Sequence, residues 1–358
     1  MKGLRRGLVL ALKLAVAAAL LYWAFYKFHL HDYTGASGQG QRGFITIISQ
    51  SRWWLLPPAI LCFLAPIFIL SVRWWYLLGI QQIHISLGQA MRLTFLGTFF
   101  NYVVPGTVSG DLVKAYYIFQ HTHRPAAAMV SIFVDRVVGL VEFAILPTVV
   151  MGGMFLAGAI TLDNLRHQYF WPVVMVAVVL AGSAVFGVVL LSPGVRRLLH
   201  LRQLAGLLPM REHLAVAAEA ANIYRRRLPS LAKALGVTLG GQAFFITGIM
   251  LCGLALRLPV PPFQYFLYVP LIYIIAAVPI SPGGLGVAEN CYLLFLGGFA
   301  GNTEILSLAA VARLLPMICS LPGLVIWMRG PRLPKANQIQ AQMHLSGQQE
   351  KATPPVNP

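Results

Sequence analysis

Two apolar, membrane-length segments of this chain are each interrupted by a Pro-Gly step, with an acid shortly after it. The first reads Asn101-Tyr-Val-Val-Pro105-Gly106-Thr-Val-Ser109-Gly110-Asp111. The second reads Pro279-Ile-Ser281-Pro282-Gly283-Gly284-Leu-Gly286-Val-Ala-Glu289. Hydrocarbon cannot hydrogen-bond a broken backbone, so irregular structure at membrane depth survives only inside protein or beside a water-filled cavity. Interrupted segments in corresponding positions of two halves of a chain point to a transporter's binding site.

The rest of the sequence agrees with that setting. Apolar residues make up 58% and charged residues 10%, against about 45–50% and about 25% in soluble domains, and the mean hydropathy is +0.73. The expected class is all-α, a polytopic membrane protein. A net charge of +17 would suit nucleic acid. The basic residues, however, cluster at the ends of apolar spans, where they meet anionic headgroups and set orientation, so no nucleic-acid partner is expected. Cys62, Cys252, Cys291 and Cys319 lie in or beside apolar spans without a C-x-x-C pair, and read as small buried hydrophobes. The H-E-x-x-H, Walker and G-x-S-x-G signatures are missing, and no metal or cofactor is expected.

A basic start (Lys2, Arg5, Arg6) precedes an apolar run from Gly7 to Phe28 that closes in Tyr22, Trp23 and Tyr26. Its length and aromatic far end read as an uncleaved first span rather than a signal peptide. A polar loop over 29–52 follows, then a span over 54–72 ending at Arg73-Trp74-Trp75. The first interrupted element covers 87–119, with spans over 128–157 and 170–191 after it. The basic segment 192–230 reads as amphipathic helices on the cytoplasmic leaflet. A span over 231–256, the second interrupted element over 263–300 and a last span over 305–328 complete the series. The total is about six full spans plus two broken elements. Residues 1–334 are expected to form one integral-membrane domain, and 335–358 a disordered cytoplasmic tail.

Charge then sets orientation. With the clusters at the N-terminus, Arg73, Arg92, Arg124, 192–233 and after Trp327 in the cytoplasm, only Lys27, Arg42, Arg52, Arg166 and Arg257 lie outside, in line with the positive-inside bias. Both termini are then cytoplasmic, with the segments near 29–52 and 158–168 outside. Arg73 and Arg124 share a side only if 87–119 crosses an even number of times, and the loops near Arg257 and Asn302 make the same demand of 263–300. Each interrupted element is therefore a hairpin, re-entrant or of two short spans, and the two enter from opposite sides. Their similar tips suggest a degenerate inverted repeat, with Pro105-Gly106 approaching Pro282-Gly283 near the midplane.

Charges inside spans are costly and mark function by default. Asp111 and Lys114 fall on the first turn of a helix beginning near Ser109, where Gly106 and Gly110 let the backbone approach a ligand and freed N–H groups attract anions. The plainer alternative is an Asp cap with Lys114 snorkelling. Asp135 and Glu142, two turns apart, share a helix face, with Arg136 about 100° away. Arg136 suits a lipid phosphate held in a bidentate grip, or else a carboxylate from another helix. Glu289 follows the second break and Arg313 is the only charge within the last span, so these two have an ion pair open to them. Asn101, Ser109 and Ser281 add polar groups at the breaks.

Three motifs, Asn-x-x-x-Pro-Gly-x-x-x-Gly-Asp at 101–111, Asp135-Arg136-x-x-Gly139 and Ser281-Pro-Gly-Gly-Leu-Gly-x-x-Glu289, together resemble the lysylphosphatidylglycerol synthase transmembrane-region family, also called the flippase-like domain. The resemblance spans nearly the whole chain in order and spacing. It implies that Asn101, Pro105, Gly106, Gly110, Asp111, Asp135, Arg136, Gly139, Ser281, Pro282, Gly283, Gly284, Gly286 and Glu289 carry the family's pattern. Ser109 stands where family members often have Gly, and Lys114 where many have Arg. In bifunctional members the membrane domain is thought to move aminoacylated phospholipid between leaflets, and a separate domain makes that lipid. This chain has no room for such a domain, so no synthase activity is implied.

The expected function is that of a lipid translocase of the bacterial inner membrane, not an enzyme, moving an anionic or aminoacylated phospholipid or a related phosphate-bearing lipid. Its headgroup would meet Arg136, Lys114 and helix N-termini while the tails stay in the bilayer. Two alternatives come from other classes. One is a non-catalytic membrane subunit that organises a partner lipid-modifying enzyme. The other is an intramembrane transferase acting on a polyprenyl-phosphate lipid, with Asp111 and Glu289 as its acid–base pair.

Overall fold

The structure, a computed structural model, describes residues 15, 18–23, 26, 28–34, 40–81, 83–103, 109–119, 125–163, 169–191, 223, 227–278 and 281–330. Much of the expected first span, the Pro105-Gly106 tip, nearly all of the 192–230 segment and the 335–358 tail lie outside the described residues. Ser109 is described in its backbone only.

Among the described residues the architecture is all-α apart from one small hairpin. Within the expected polar loop, β1 (Tyr33–Thr34) pairs antiparallel with β2 (Gly40–Gln41), and a short helix, α1 (Phe44–Ser49), follows. The Asp32 carboxylate accepts the Gly43 N–H at 2.7 Å. That bond first, and the Thr46 hydroxyl second, hold the Asp32 carboxyl below its ordinary range. This tie is therefore lost as pH falls through the lowered value. Arg42 pins the loop: its Nε donates to Glu304 Oε1 at 2.6 Å and its Nη2 to the Arg257 carbonyl at 3.2 Å.

The described residues go on to form α2 (Leu56–Ile80), α3 (Leu87–Val103), α4 (Ser109–Phe119), α5 (Pro125–Leu156), α6 (Phe170–Leu191), α7 (Leu228–Ala255), α8 (Pro262–Ala277), α9 (Val287–Leu296), α10 (Asn302–Ser320) and α11 (Pro322–Arg329). Four described stretches are long and apolar enough to cross a membrane, Trp53–Ile80, Ala128–Leu156, Pro229–Ala255 and Asn302–Arg329. Large apolar side chains such as Leu61, Phe68, Val149, Val178 and Leu294 stand exposed on the outer surface, as lipid-facing residues do. The protein is a membrane protein.

One boundary differs from the sequence expectation. The second span does not end at Arg73; α2 continues to Ile80, with Arg73 and Trp74 buried. Arginine is expected at an interface because an unpaired charge is expensive in hydrocarbon. Here Asp135 and Glu142 neutralise it, so the helix carries it inside.

Each interrupted element is a bent pair of unequal legs. At 1.5 Å per residue, α3 and α4 extend about 26 and 17 Å, and α8 and α9 about 24 and 15 Å. The short legs fall well below the about 30 Å of a bilayer core. The long legs pack crosswise: α3 lies against α10 and α11, and α8 lies against α5, while α2 packs along α7. Two apolar cores result. One gathers α8, α9 and α10 with parts of α2 and α7; the other joins the end of α2 to α3, α4 and the start of α5. Part of the first span is tied in where Asn290 Nδ2 donates to the Leu20 carbonyl at 3.0 Å.

Glycine sets how closely α3 and α4 approach. A β-carbon on Gly110 would collide with the Gly97 carbonyl and lie 2.8 Å from the Asn101 side chain. Gly110→Ala is therefore expected to cost about 1–3 kcal/mol through overpacking. Gly139, within α5, has open space where a β-carbon would stand. Gly139→Ala is expected to gain about 0.5–1 kcal/mol from helix propensity. Thermal unfolding midpoints in detergent check both signs, and equal effects would contradict the packing.

Candidate functional site

Both breaks are stapled by side chains already prominent in the sequence. Asn101, near the end of α3, reaches across the first break: its Oδ1 accepts the Gly110 N–H at 2.8 Å and caps α4. Asp111, in the first turn of α4, is buried and accepts Arg136 Nε from α5. At the second break the chain turns through Gly283 and Gly284 at φ 60° and 69°, a left-handed region that glycine enters freely. Glu289 then serves twice. Its Oε2 accepts the Gly286 N–H at 2.8 Å, and its Oε1 accepts Arg313 Nε at 2.7 Å. Arg313 spends its other nitrogens on the carbonyls of Gly283 and Gly284, at 3.2 and 3.3 Å. A helix break thus presents unpaired carbonyls to a guanidinium, and the acid beyond it completes the grip.

The second break meets the end of α3: a β-carbon on Gly283 would stand 3.9 Å from the Asn101 carbonyl oxygen. Between them lies a cavity of about 260 Å³. Its polar lining is Asn101, Arg136, Glu289 and Arg313, with the Gly283 backbone, and its aromatic lining is Tyr102, Phe143, Tyr273 and Tyr292. The Arg136 side chain is 43% exposed and that of Arg313 25%, while their partners Asp111 and Glu289 are 9% and 12%. The arginines therefore face open space from behind which the acids hold them. The buried hydroxyl of Ser281 has no partner among the described residues, while those of Tyr273 and Tyr292 hydrogen-bond each other.

Such a lining suits an anionic group: two forked cations pre-set by carboxylates, with aromatic walls. The family model described as "Lysylphosphatidylglycerol synthase TM region" matches residues 10–323. The chain belongs to that family. A search of curated proteins finds no match. The family match covers α1 to α10 and only the start of α11, so the cavity is built entirely from the family's own region.

Among the sequence candidates, Asn101, Arg136, Gly283, Glu289 and Arg313 line one cavity, and Asp111 joins it through Arg136. Gly284 contributes a carbonyl to Arg313. Gly110 packs behind Asn101, and Ser281 is buried beside the break. Pro105 and Gly106 lie outside the described residues. Two candidates stand elsewhere. Lys114 does not line this cavity; its ammonium sits 5.1 Å from the Trp74 ring centroid, a cation–π contact. Asp135 turns toward α2, where Arg73 Nε donates to its Oδ1 at 2.7 Å and Arg73 Nη1 to Glu142 Oε2 at 3.3 Å. The shared face of Asp135 and Glu142 was legible from their spacing; their arginine was not, because it stood at an expected span end. The tyrosines of the cavity had no signal, since aromatics recur throughout apolar spans. Among the described residues no group of three His, Cys, Asp or Glu is placed to hold a metal.

Proposed function

We propose that the protein is a lipid translocase of the bacterial inner membrane. It moves a phosphate-bearing phospholipid between leaflets and carries out no covalent step. The observation that carries this reading is the pair of arginines, one behind each break, opening on one cavity. The cavity, at about 260 Å³, falls below the ~300–1,000 Å³ typical of sites that enclose a drug-sized ligand. It suits a headgroup, with the acyl chains left in the bilayer. No energy-supplying domain is part of this reading.

On this reading the two halves form an inverted repeat, which the order of the helices supports. Long helix, long leg, short leg and long helix recur as α2–α3–α4–α5 and α7–α8–α9–α10. The crosswise packing of α3 on α10 and α8 on α5 is the same contact seen from each half, and α2 against α7 brings corresponding helices together. Asp111 and Glu289 are each the third residue of a short leg, and their arginines follow 25 and 24 residues later. On this reading five full spans come from α2, α5, α6, α7 and α10–α11, and a sixth from residues 7–28. Both termini are cytoplasmic. A site on the pseudo-symmetry axis is reachable from either leaflet by rocking one half against the other.

Reconstitution tests the reading. Vesicles of phosphatidylglycerol and phosphatidylethanolamine carrying acyl-labelled fluorescent phosphatidylglycerol are treated with an impermeant reductant. Empty vesicles lose the outer-leaflet half of the signal; vesicles holding the protein are expected to lose nearly all of it. Equal loss in both, with the protein shown to be folded and inserted, would remove phosphatidylglycerol translocation from its functions.

A further inference from the structure

A second charged cluster lies outside the cavity, and its charges do not balance. We propose that Glu142 is a proton-binding site, through which lipid movement is linked to a pH difference across the membrane. The linkage rests on the translocase reading; the proton site does not.

Arg73, Asp135 and Glu142 have side chains only 3%, 14% and 7% exposed. One guanidinium there faces two carboxyls. Unmatched charge inside a membrane protein is expensive, so one carboxyl keeps a proton. Geometry selects which. Asp135 holds Arg73 twice, through its carboxylate at 2.7 Å and its carbonyl at 3.3 Å, whereas Glu142 meets it once, at 3.3 Å. Asp135 is the counterion, and the proton falls to Glu142.

The charged groups facing Glu142 are Arg73 from α2 and Asp135 from its own helix. Of the other helices packed on α5, α6 carries no titratable residue and α8 only tyrosines. On α4, Asp111 is held by Arg136 and Lys114 lies over Trp74, with Tyr116 and Tyr117 beside them. α7 brings Lys233 and Cys252, and in one stripe Thr238 and, a turn later, Gln242. The buried Gln242 amide nitrogen has no partner among the described residues. An orphaned donor on the helix that packs here is where an ionised carboxylate or a proton-carrying water would be received.

The cluster also shares its helix turns with the cavity. Asp135 is followed by Arg136 and Glu142 by Phe143, and both followers line the cavity. A lipid phosphate that draws Arg136 off Asp111 moves the same two turns that hold Asp135 and Glu142. Arg73 is then free to change its share between the two acids, and Glu142 to release its proton.

The test uses the full-length protein in vesicles of phosphatidylglycerol and phosphatidylethanolamine. Infrared spectra at neutral pH are expected to show a carboxylic-acid carbonyl band that Glu142→Gln removes. Because Gln copies the shape of a protonated Glu, this variant should unfold at the wild-type temperature, while Asp135→Asn should unfold earlier. A missing band, or one that survives Glu142→Gln, overturns the site. With labelled phosphatidylglycerol, wild-type movement should respond to an imposed pH gradient by up to about tenfold per pH unit, and Glu142→Gln should not respond. Wild-type movement indifferent to the gradient overturns the linkage. A band of the expected kind with no lipid movement at all leaves the proton site standing and removes the translocase reading instead.

Discussion

Arg73→Ala is expected to leave little folded protein after purification in detergent. Arg73 is 4% exposed, is the counterion of Asp135 and donates a hydrogen bond to Glu142, both on the neighbouring helix α5. Removing one member of a buried ion pair strands the other without solvent, at a cost of about 3–5 kcal/mol. A typical folded domain is stable by only about 5–15 kcal/mol, so a loss of that size shows directly in the folded fraction. The effect should be relieved by neutralising the stranded acid. Arg73→Met with Asp135→Asn and Glu142→Gln replaces the cluster by neutral groups of similar size, and is expected to return a monodisperse peak and most of the unfolding temperature. An Arg73→Ala protein that melts with wild type would mean that water reaches this cluster and that its charges are solvated.

Much of this was legible in the sequence because membrane physics is restrictive. The Pro-Gly steps at 105–106 and 282–283 marked where a break was to be expected, hydrocarbon forbids leaving such a break unsatisfied, and the parity of the basic clusters on either side asked for a hairpin at each. The partner of each acid was harder. Glu289 and Arg313 are 24 residues apart, and nothing local states that α9 and α10 turn their charged faces together. The same ignorance misread Arg73 as an interface residue: periodicity shows where apolar helix lies, but a buried arginine and a surface one look alike until the neighbouring helix is known. Lys114 failed for a related reason. Its place three residues after Asp111, on the same side of the helix, suggested a shared ligand, yet the end of α2 packs against α4 and Lys114 settles over Trp74 instead of lining the cavity.

Arg136 decides whether the cavity binds lipid or merely contains struts. Its partner Asp111 is almost fully buried, while Arg136 itself is 43% exposed and lines the cavity, where the planar fork of a guanidinium can meet a phosphate. Arg136→Ala is expected to slow the movement of labelled phosphatidylglycerol by roughly 10- to 100-fold, the value of one charge-assisted contact at about 1.5–3 kcal/mol. Part of any loss will come from Asp111, stranded when its partner is removed, and a double substitution separates the two effects. In Arg136→Ala with Asp111→Asn no ion is left unpaired, so the unfolding temperature should recover while movement stays slow. Arg136→Lys keeps the charge but not the fork, and should fall between. Recovery of movement along with stability in the double variant would make Arg136 a strut. The phosphate would then have Arg313 as its remaining arginine in the cavity, where Glu289→Gln with Arg313→Ala poses the same question to the other half of the molecule.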